Sequence, residues 1–471
     1  MRRAAGRFAR DDQGMALMMV VSVSIIVFML LVTTLTMIQY RNTQTVKYTG
    51  RNTAMQLADA GINEYMYQLS QNYRFYSTNP VLTPASAPSN GTWRVVATPP
   101  HDADLLMLTS VGTLNDGTQR TVTTTVKFPN FVDYCVFVIQ PYTVGSGFTF
   151  DGKVYCQGYL DMATGSTITG LAESSAGFKQ DGTTKTLTNN RLAPQTSPNP
   201  YQGGALKLTN TLTMSSITND LSSMAASATA GGINLPAYST TKYGSIPAST
   251  SSKHYTTRQG YRLTFSNASV KVEAVQAEQQ ENGTLTISAI QPLTAGWTVP
   301  IPSNGIIYVN APVWVQGTYS AGVTVATPSP YDIIVPDNLL CSSSSPKATC
   351  GLVSGSDVAF PWWYASMPND LTVQAAMLSQ NGYVNLDNPL PAGSQAYFPQ
   401  YWQYASTYAS HKKNSITLTG SRAMDNQGSG LAQGFVTRNS NPDARLYDNP
   451  PPMYPNVQGD SLNIMSWSES H

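Results

Sequence analysis

Hydrophobic and polar positions follow three successive patterns along this chain. The run from Met15 to Ile38, MALMMVVSVSIIVFMLLVTTLTMI, contains no charged side chain. As a helix this run is about 36 Å long at ~1.5 Å per residue, enough to cross a hydrocarbon core of ~30 Å. No second run of this kind occurs. From Gln39 to about Asn72 there is no proline, and Ala54, Ala58, Gly61, Ile62, Tyr65 and Leu69 recur at helical spacing. The pattern predicts one helix over 15–72 with an apolar or small face on its second half.

After a turn-rich piece, NPVLTPASAPSNG, the period drops to two. Trp93–Thr98, Leu105–Thr113 and Gln119–Phe128 read as strands, with Asn115-Asp116-Gly117 as the turn between the last two. Residues 73–132 are therefore expected to form a small antiparallel β-meander.

From Asp133 onward short apolar runs alternate with Gly, Asn and Asp corners. In GIIYVNAPVWVQGTYSAGVTVATPSPYDIIVPDNLL, residues 305–340, Val309, Val313, Val315, Val323, Val325 and Ile333 sit in short runs spaced by turns. That is the pattern of a β-solenoid, each coil burying small aliphatics on its inner side. An irregular β-sandwich is the alternative. Residues 171–260 are rich in Ser, Thr, Asn and Ala; Met214, Ile217, Leu221 and Met224 predict a helix stopped by Gly231-Gly232, within a lateral excursion. The expected fold class is α+β: a long N-terminal helix, a small meander, then a large right-handed β-helix-like solenoid over 133–425. Residues 426–471 are expected to be a C-terminal tail packing on the solenoid.

Composition narrows the function. The chain has 471 residues, with 27 Lys and Arg against 26 Asp and Glu, a net charge of +1. This balance gives no footprint for a polyanion, so no nucleic acid partner is expected. Charged residues are 11% and hydrophobic ones 41%. Such a chain buries enough apolar surface to fold.

The leader adds a finer signal. Arg2, Arg3, Arg7 and Arg10 precede the apolar run, which places the N-terminus on the cytoplasmic side of an inner or cytoplasmic membrane and the head outside. The run is too long for an ordinary signal peptide, and no A-x-A site follows it. A plain signal anchor is one reading. The other rests on Gly14, which directly precedes Met15. Residues 1–14 resemble a prepilin leader, which a prepilin peptidase removes after the glycine, leaving the helix on the mature protein.

Further segments carry the same resemblance. RNTAMQLADAGINEYMYQL, residues 51–69, resembles the helix of PilX-type minor pilins, with Ala58-Asp59-Ala60-Gly61 where those have Ala-Glu-Ala-Gly. LTSVGTLNDGTQRTVTTTVKF resembles their strand-turn-strand, with Ser110-Val111-Gly112 before the turn and Arg120-Thr121 after it. Residues 305–340, DLTVQAAMLSQNGYV at 370–384 and LYDNPPPMYPNVQGDSLNIMSWSES at the C-terminus resemble bacterial proteins that join a PilX-type N-terminus to a β-helix domain of unknown function. The resemblance implies a structural minor subunit of a type IV pilus or related secretion filament. Its partners would be other pilin-like subunits, packed through the N-terminal helix. One position departs from the family: the fifth mature residue, usually Glu, is Met19. That departure suits a tip or initiation position better than a repeating one, and a bulky head points the same way.

Chemistry is sparse. His101, His254, His411 and His471 form no H-E-x-x-H, and no P-loop or nucleophile elbow is present. Asp133, Asp151, Asp161, Asp332, Asp337 and Asp357 occur near strand signals and read as turn formers. No catalytic residue, metal or cofactor is expected. Cys135, Cys156, Cys341 and Cys350 lie on the predicted oxidising side; proximity in sequence suggests disulfides Cys135–Cys156 and Cys341–Cys350, with free thiols as the alternative. Trp362, Trp363, Tyr364, Tyr401, Trp402 and Tyr404 form two aromatic clusters. Such clusters pack a core or offer a surface to glycans or a protein partner. A membrane-anchored adhesin binding surface glycans, and a tethered polysaccharide-active enzyme, are the competing functions.

Overall fold

The computed structural model describes residues 5–71, 75–85, 89–98, 105–127, 130–209, 211–214, 217–244, 253–255, 259–275, 279–281, 287–288, 292–362, 364, 366–387, 412–426, 431, 434–457 and 463–470. Its architecture is α+β, a long N-terminal helix followed by a large β-rich region. Internal contacts divide the chain into two compact units, residues 1–99, 106–126 and 464–471 in one, and 100–105 and 127–463 in the other.

In the first unit helix α1 runs unbroken over Ala5–Gln71, about 100 Å at the standard rise. It contains no proline, and the hydroxyls of Thr33, Thr43, Thr45, Thr49 and Thr53 donate to carbonyls four residues back, at 2.9 Å each. These bonds hide polar side chains against the helix itself. Residues 15–42 are exposed throughout. By length and composition this half of the helix can cross a membrane. Ala54, Ala58, Ile62, Tyr65 and Leu69 are buried. The helix is therefore bare in its first half and docked in its second.

The docked half covers a sheet whose strands lie in the order β1 (Val81–Leu82), β2 (Gly91–Thr98), β3 (Leu105–Leu114), β4 (Gln119–Lys127) and the C-terminal strand Asn463–Ser470. β1 and β2 pair antiparallel, as do β2 and β3. The alternating burial of β2 puts Trp93, Val95 and Ala97 on the buried face. The neighbour of β4 on its outer side is thus a strand from the far end of the chain.

The second unit is built on parallel ladders. Along the first, the strands follow in space as Ile233–Leu235, Ile306–Val309, Val323–Thr327, Cys350–Ser354, Ala376–Ser379, Arg422–Met424, then Val136–Val138, Val154–Cys156, Ala172–Ser174 and Ala205–Lys207. The second ladder runs Gly260–Asn267, Val313–Tyr319, Leu339–Cys341, Asp370–Gln374, Lys413–Thr419, Phe435–Asn441, Thr149–Phe150 and Thr167–Ile168. A third joins Tyr142–Val144, Tyr159–Met162 and Gly177–Gln180. The stack is continuous in space but not in sequence. The chain enters at its middle, builds to one end and crosses back along helix Ile217–Gly231. It then builds from the other end until Arg422 pairs with Val136. Helix residues Ile217, Leu221, Met224 and Ala228 pack with Ile306, Ala326 and Val353 on the outer face of the first ladder. The expected helix near 214–224 is thus a bridge, and the region around it, 171–260, also supplies rungs of the stack.

An antiparallel strand follows one ladder at each end. Gly260–Asn267 pairs with Ser269–Val275 at one end, and Ala205–Lys207 with Arg191–Leu192 at the other. Entry and exit of this unit lie side by side: Lys127 Nζ meets Asp133 at 2.8 Å and the Tyr447 carbonyl at 2.6 Å, and Asn130 Nδ2 donates to Asn456 Oδ1 at 3.1 Å.

The two expected disulfides are absent, and all four cysteines are free thiols. In the first ladder Val136 pairs with Val154, and Val138 with Cys156. Cys135 therefore falls short of the position opposite Cys156 by the distance from Cys135 to Val138, about 10 Å along the strand. A disulfide needs Cα atoms within about 7 Å. Cys341 ends a strand of the second ladder beside Tyr319, whereas Cys350 opens a strand of the first beside Val323. The Cys341 thiol turns to the carbonyls of Ser343 and Ala348, at 3.4 and 3.5 Å.

Candidate functional site

The residues singled out at the N-terminus lie on one uninterrupted helix. α1 passes through Gly14 without a break. Met15 is 66% exposed and Met19, one turn on, 73%. No charge stands between Met15 and Ile38, so this half offers a lipid or another helix dispersion contacts and no ion pair.

Two glycines set how closely the other half approaches its sheet. A Cβ on Gly112 would fall on the carbonyl oxygen of Ala54 and lie 2.7 Å from the Ala58 amide nitrogen. A Cβ on Gly61 would lie 2.7 Å from Ser110 Oγ and 2.9 Å from the Trp93 ring. Helix and strand backbones meet here because neither glycine has a side chain. The stretches Ala58-Asp59-Ala60-Gly61 and Ser110-Val111-Gly112, separate in sequence, thus form one contact. Beyond it, Tyr65 donates its hydroxyl to the Asn79 carbonyl at 2.7 Å and packs edge-on against Phe75. Burial pushes the Tyr65 hydroxyl up to about 12.

The same motif residues hold the C-terminal strand. Trp467 Nε1 donates to Asp59 Oδ1 at 3.3 Å, Thr124 Oγ1 to the Ser466 carbonyl at 2.8 Å, and Arg120 faces Glu469 at 3.5 Å. Nothing in the sequence names the partner of this strand. The alternation of Ile464, Ser466 and Ser468 with Met465 and Trp467 was its one available signal.

The aromatic clusters fare differently. Tyr364 is buried, and its hydroxyl accepts from Trp314 Nε1 at 3.1 Å. Trp362 packs partly buried against the core of the second unit. Both sit where packing explains them. Trp363, Tyr401, Trp402 and Tyr404 lie outside the described residues, as do His101, His411 and His471.

The corner aspartates bind backbone. Asp161 accepts from the Gly182 amide at 3.1 Å, Asp332 from Asp357 at 3.2 Å, and Asp357 from Tyr383 at 2.9 Å. Asp181 accepts from the Thr164 hydroxyl at 2.6 Å and its amide at 3.0 Å, which together hold its carboxyl below the usual carboxylate range. Among the described residues no group of three or more His, Cys, Asp or Glu is placed to hold a metal ion.

No family model and no curated protein matches the chain. Among solved structures it is similar to the competence-associated pilin ComZ from Thermus thermophilus, at 12% identity over 89% of this chain and 98% of that one, with a TM-score of 0.29. A score of that size does not establish a shared fold.

Proposed function

We propose that this protein is a pilin-like structural subunit of a type IV pilus or related secretion filament, with the parallel stack as a β-solenoid head. The observation that carries the reading is the division of α1. Its first half is apolar, uncharged and bare, and its second is seated on an antiparallel sheet through Gly61 and Gly112. A bare apolar helix of this length needs a lipid or protein environment. A membrane holds it before assembly, and the helices of other subunits hold it afterwards. The N-terminus is cytoplasmic, the head is external, and a prepilin peptidase cuts between Gly14 and Met15.

Met19 fits a minor subunit. A carboxylate there would be buried in a filament core and would need a cation beside it; methionine needs none. The head is the bulk of the chain, since its unit spans 127–463. One such subunit at a tip escapes the crowding that repetition would impose on a head of that size.

N-terminal sequencing and intact mass of the protein from its native membrane fraction test this reading. The expected start is Met15, and Gly14→Ala should leave residues 1–14 attached. A start at Met1 would sink the filament reading and leave a signal-anchored adhesin in its place.

A further inference from the structure

Along the second ladder, the outward positions form two straight columns. The first passes through Thr372, Thr417 and Asn439, the second through Gln374, Thr419 and Asn441, all in register. The pattern extends to Thr264 and Ser266 at one end of the ladder and to Thr167 and Thr169 at the other. Eight strands at ~4.8 Å spacing make a face about 34 Å long. Inward neighbours such as Leu371, Val373, Ile416 and Leu418 are buried, and the column residues are half-exposed or exposed.

The chemistry of these two columns is narrow, and the next outward position holds Asp370 in register with Ser415 and Thr437. Every column position is Thr, Ser, Asn or Gln except Leu340 and Asp151. No cation stands in either column of these eight strands; Lys271, on the capping strand, is in register with Thr264. Asp151 is occupied by the Thr169 hydroxyl at 2.6 Å, and Asn439 Nδ2 donates to Thr417 Oγ1 at 3.3 Å. Elsewhere in the unit opposite charges stand side by side on outward positions: in the third ladder Asp161 lies beside Lys179 in register. The two columns also continue across the junction of Lys413–Thr419 and Phe435–Asn441 with Thr149–Phe150, where segments from opposite ends of the unit's sequence meet.

We infer that this face binds a neutral polysaccharide lying along the stack. Repeating hydroxyls and amides both donate and accept, as sugar hydroxyls do. A sugar ring is about as long as one strand spacing, so successive residues of a glycan chain meet successive rungs. The two cations at one end of the face, Arg262 and Lys271, are paired with Glu273 at 2.8 Å each, so the face offers little charge complement to sulfated or uronic acid chains. Each contact is weak and exposed, so affinity comes from many rungs at once. The proposal does not depend on filament assembly.

The test uses the full chain in a zwitterionic detergent that carries no sugar headgroup. Its depletion from solution is measured on insoluble cellulose, chitin, β-1,3-glucan and mannan, with heparin resin as the anionic control. Retention on at least one neutral polymer is expected, unchanged by high salt. The triple variant Thr372→Val, Thr417→Val, Thr419→Val keeps the β-branched shape and should weaken that retention at least tenfold. The single variant Thr417→Arg, checked by circular dichroism, does the same if the triple variant fails to fold. Retention on no neutral polymer, on heparin alone, or unchanged in both folded variants would overturn the proposal. So would a dimer of the full chain that the same variants abolish, since the face would then belong to a second copy.

Discussion

The Trp467 indole N–H donates to the Asp59 carboxylate at 3.3 Å, joining the C-terminal strand to the docked half of the first helix. With the Arg120–Glu469 pair and the Thr124–Ser466 bond, it places the C-terminal strand at the edge of the sheet next to β4. The first unit is therefore complete only when the final residues of the chain are present. Ending the chain after residue 462 should expose the β4 edge, and bare edges recruit other strands. Hydrogen exchange should show the loss as faster exchange of amides in 119–127. Trp467→Phe removes one exposed bond and should cost about 1 kcal/mol or less. Equal damage from both changes would refute the strand's role.

Gly112 and Gly61 predict a graded series on one helix–sheet contact. Gly112→Ala drives a methyl into the backbone of Ala54, which cannot rotate away. The cost should be at least ~3 kcal/mol, at the upper end of overpacking. Gly61→Ala meets Ser110 Oγ and the Trp93 ring, side chains with some freedom, and should cost less. Gly50 is the control, since its Cβ would find Leu114 at an ordinary 3.7 Å. Gly50→Ala should be neutral or stabilise by up to ~1 kcal/mol through helix propensity. Thermal melts of the three variants give the order directly; equal melting points would remove the glycines from the account of docking.

The cysteines give a prediction opposite to the one their spacing suggests. A reductant should leave the melting temperature unchanged, where loss of a disulfide would cost about 2–4 kcal/mol. In the folded protein a thiol reagent should modify Cys341 first, because Cys135, Cys156 and Cys350 are buried. Burial pushes the Cys156 thiol up to about 12 and so removes its reactive thiolate near neutrality. Mass spectrometry of the partly labelled protein would locate the first adduct. A first adduct on Cys156 would contradict this placement.

Local patterns were legible in the sequence, and pairings across long separations were not. The uncharged run from Met15, the alternation in Gln119–Lys127 and the turn at Asn115-Asp116-Gly117 each declare their structure within one short window. The spacing of Ile217, Leu221 and Met224 likewise announces a helix. Arg422 beside Val136, and the last strand beside β4, depend on contacts between segments far apart in the chain. Parallel rungs carry no turn signal that names their neighbour. The separation between paired strands also varies, since Val136 pairs with Val154 but Val323 with the more distant Cys350. Proximity in sequence therefore misled at Cys135 and Cys156. The sequence left Tyr364 open between core and surface for the same reason: its hydrogen-bond partner, Trp314, comes from a strand fifty residues earlier.

Glu273 sets the acid limit of the capped end of the stack. It is buried, and it pairs with Arg262 and Lys271 at 2.8 Å each. Burial alone would raise its pKa, but the hydrogen bonds and charges of Lys271 and Arg262 outweigh that and hold the carboxyl below its usual value of 4.5. A folded-state pKa below the unfolded one means that the contribution to stability is fully present above about 4.5. It is lost as pH falls through the lower folded value. Glu273→Gln should therefore lower stability at pH 7, on the order of 3 kcal/mol for a pair broken on its buried side. The difference from the parent chain should shrink as the pH drops below 4.5. Melting curves of both chains from pH 7 to pH 3, followed by circular dichroism, test the sign. A difference that grows on acidification would show that the carboxylate is destabilised in the folded protein, contrary to its two cation contacts.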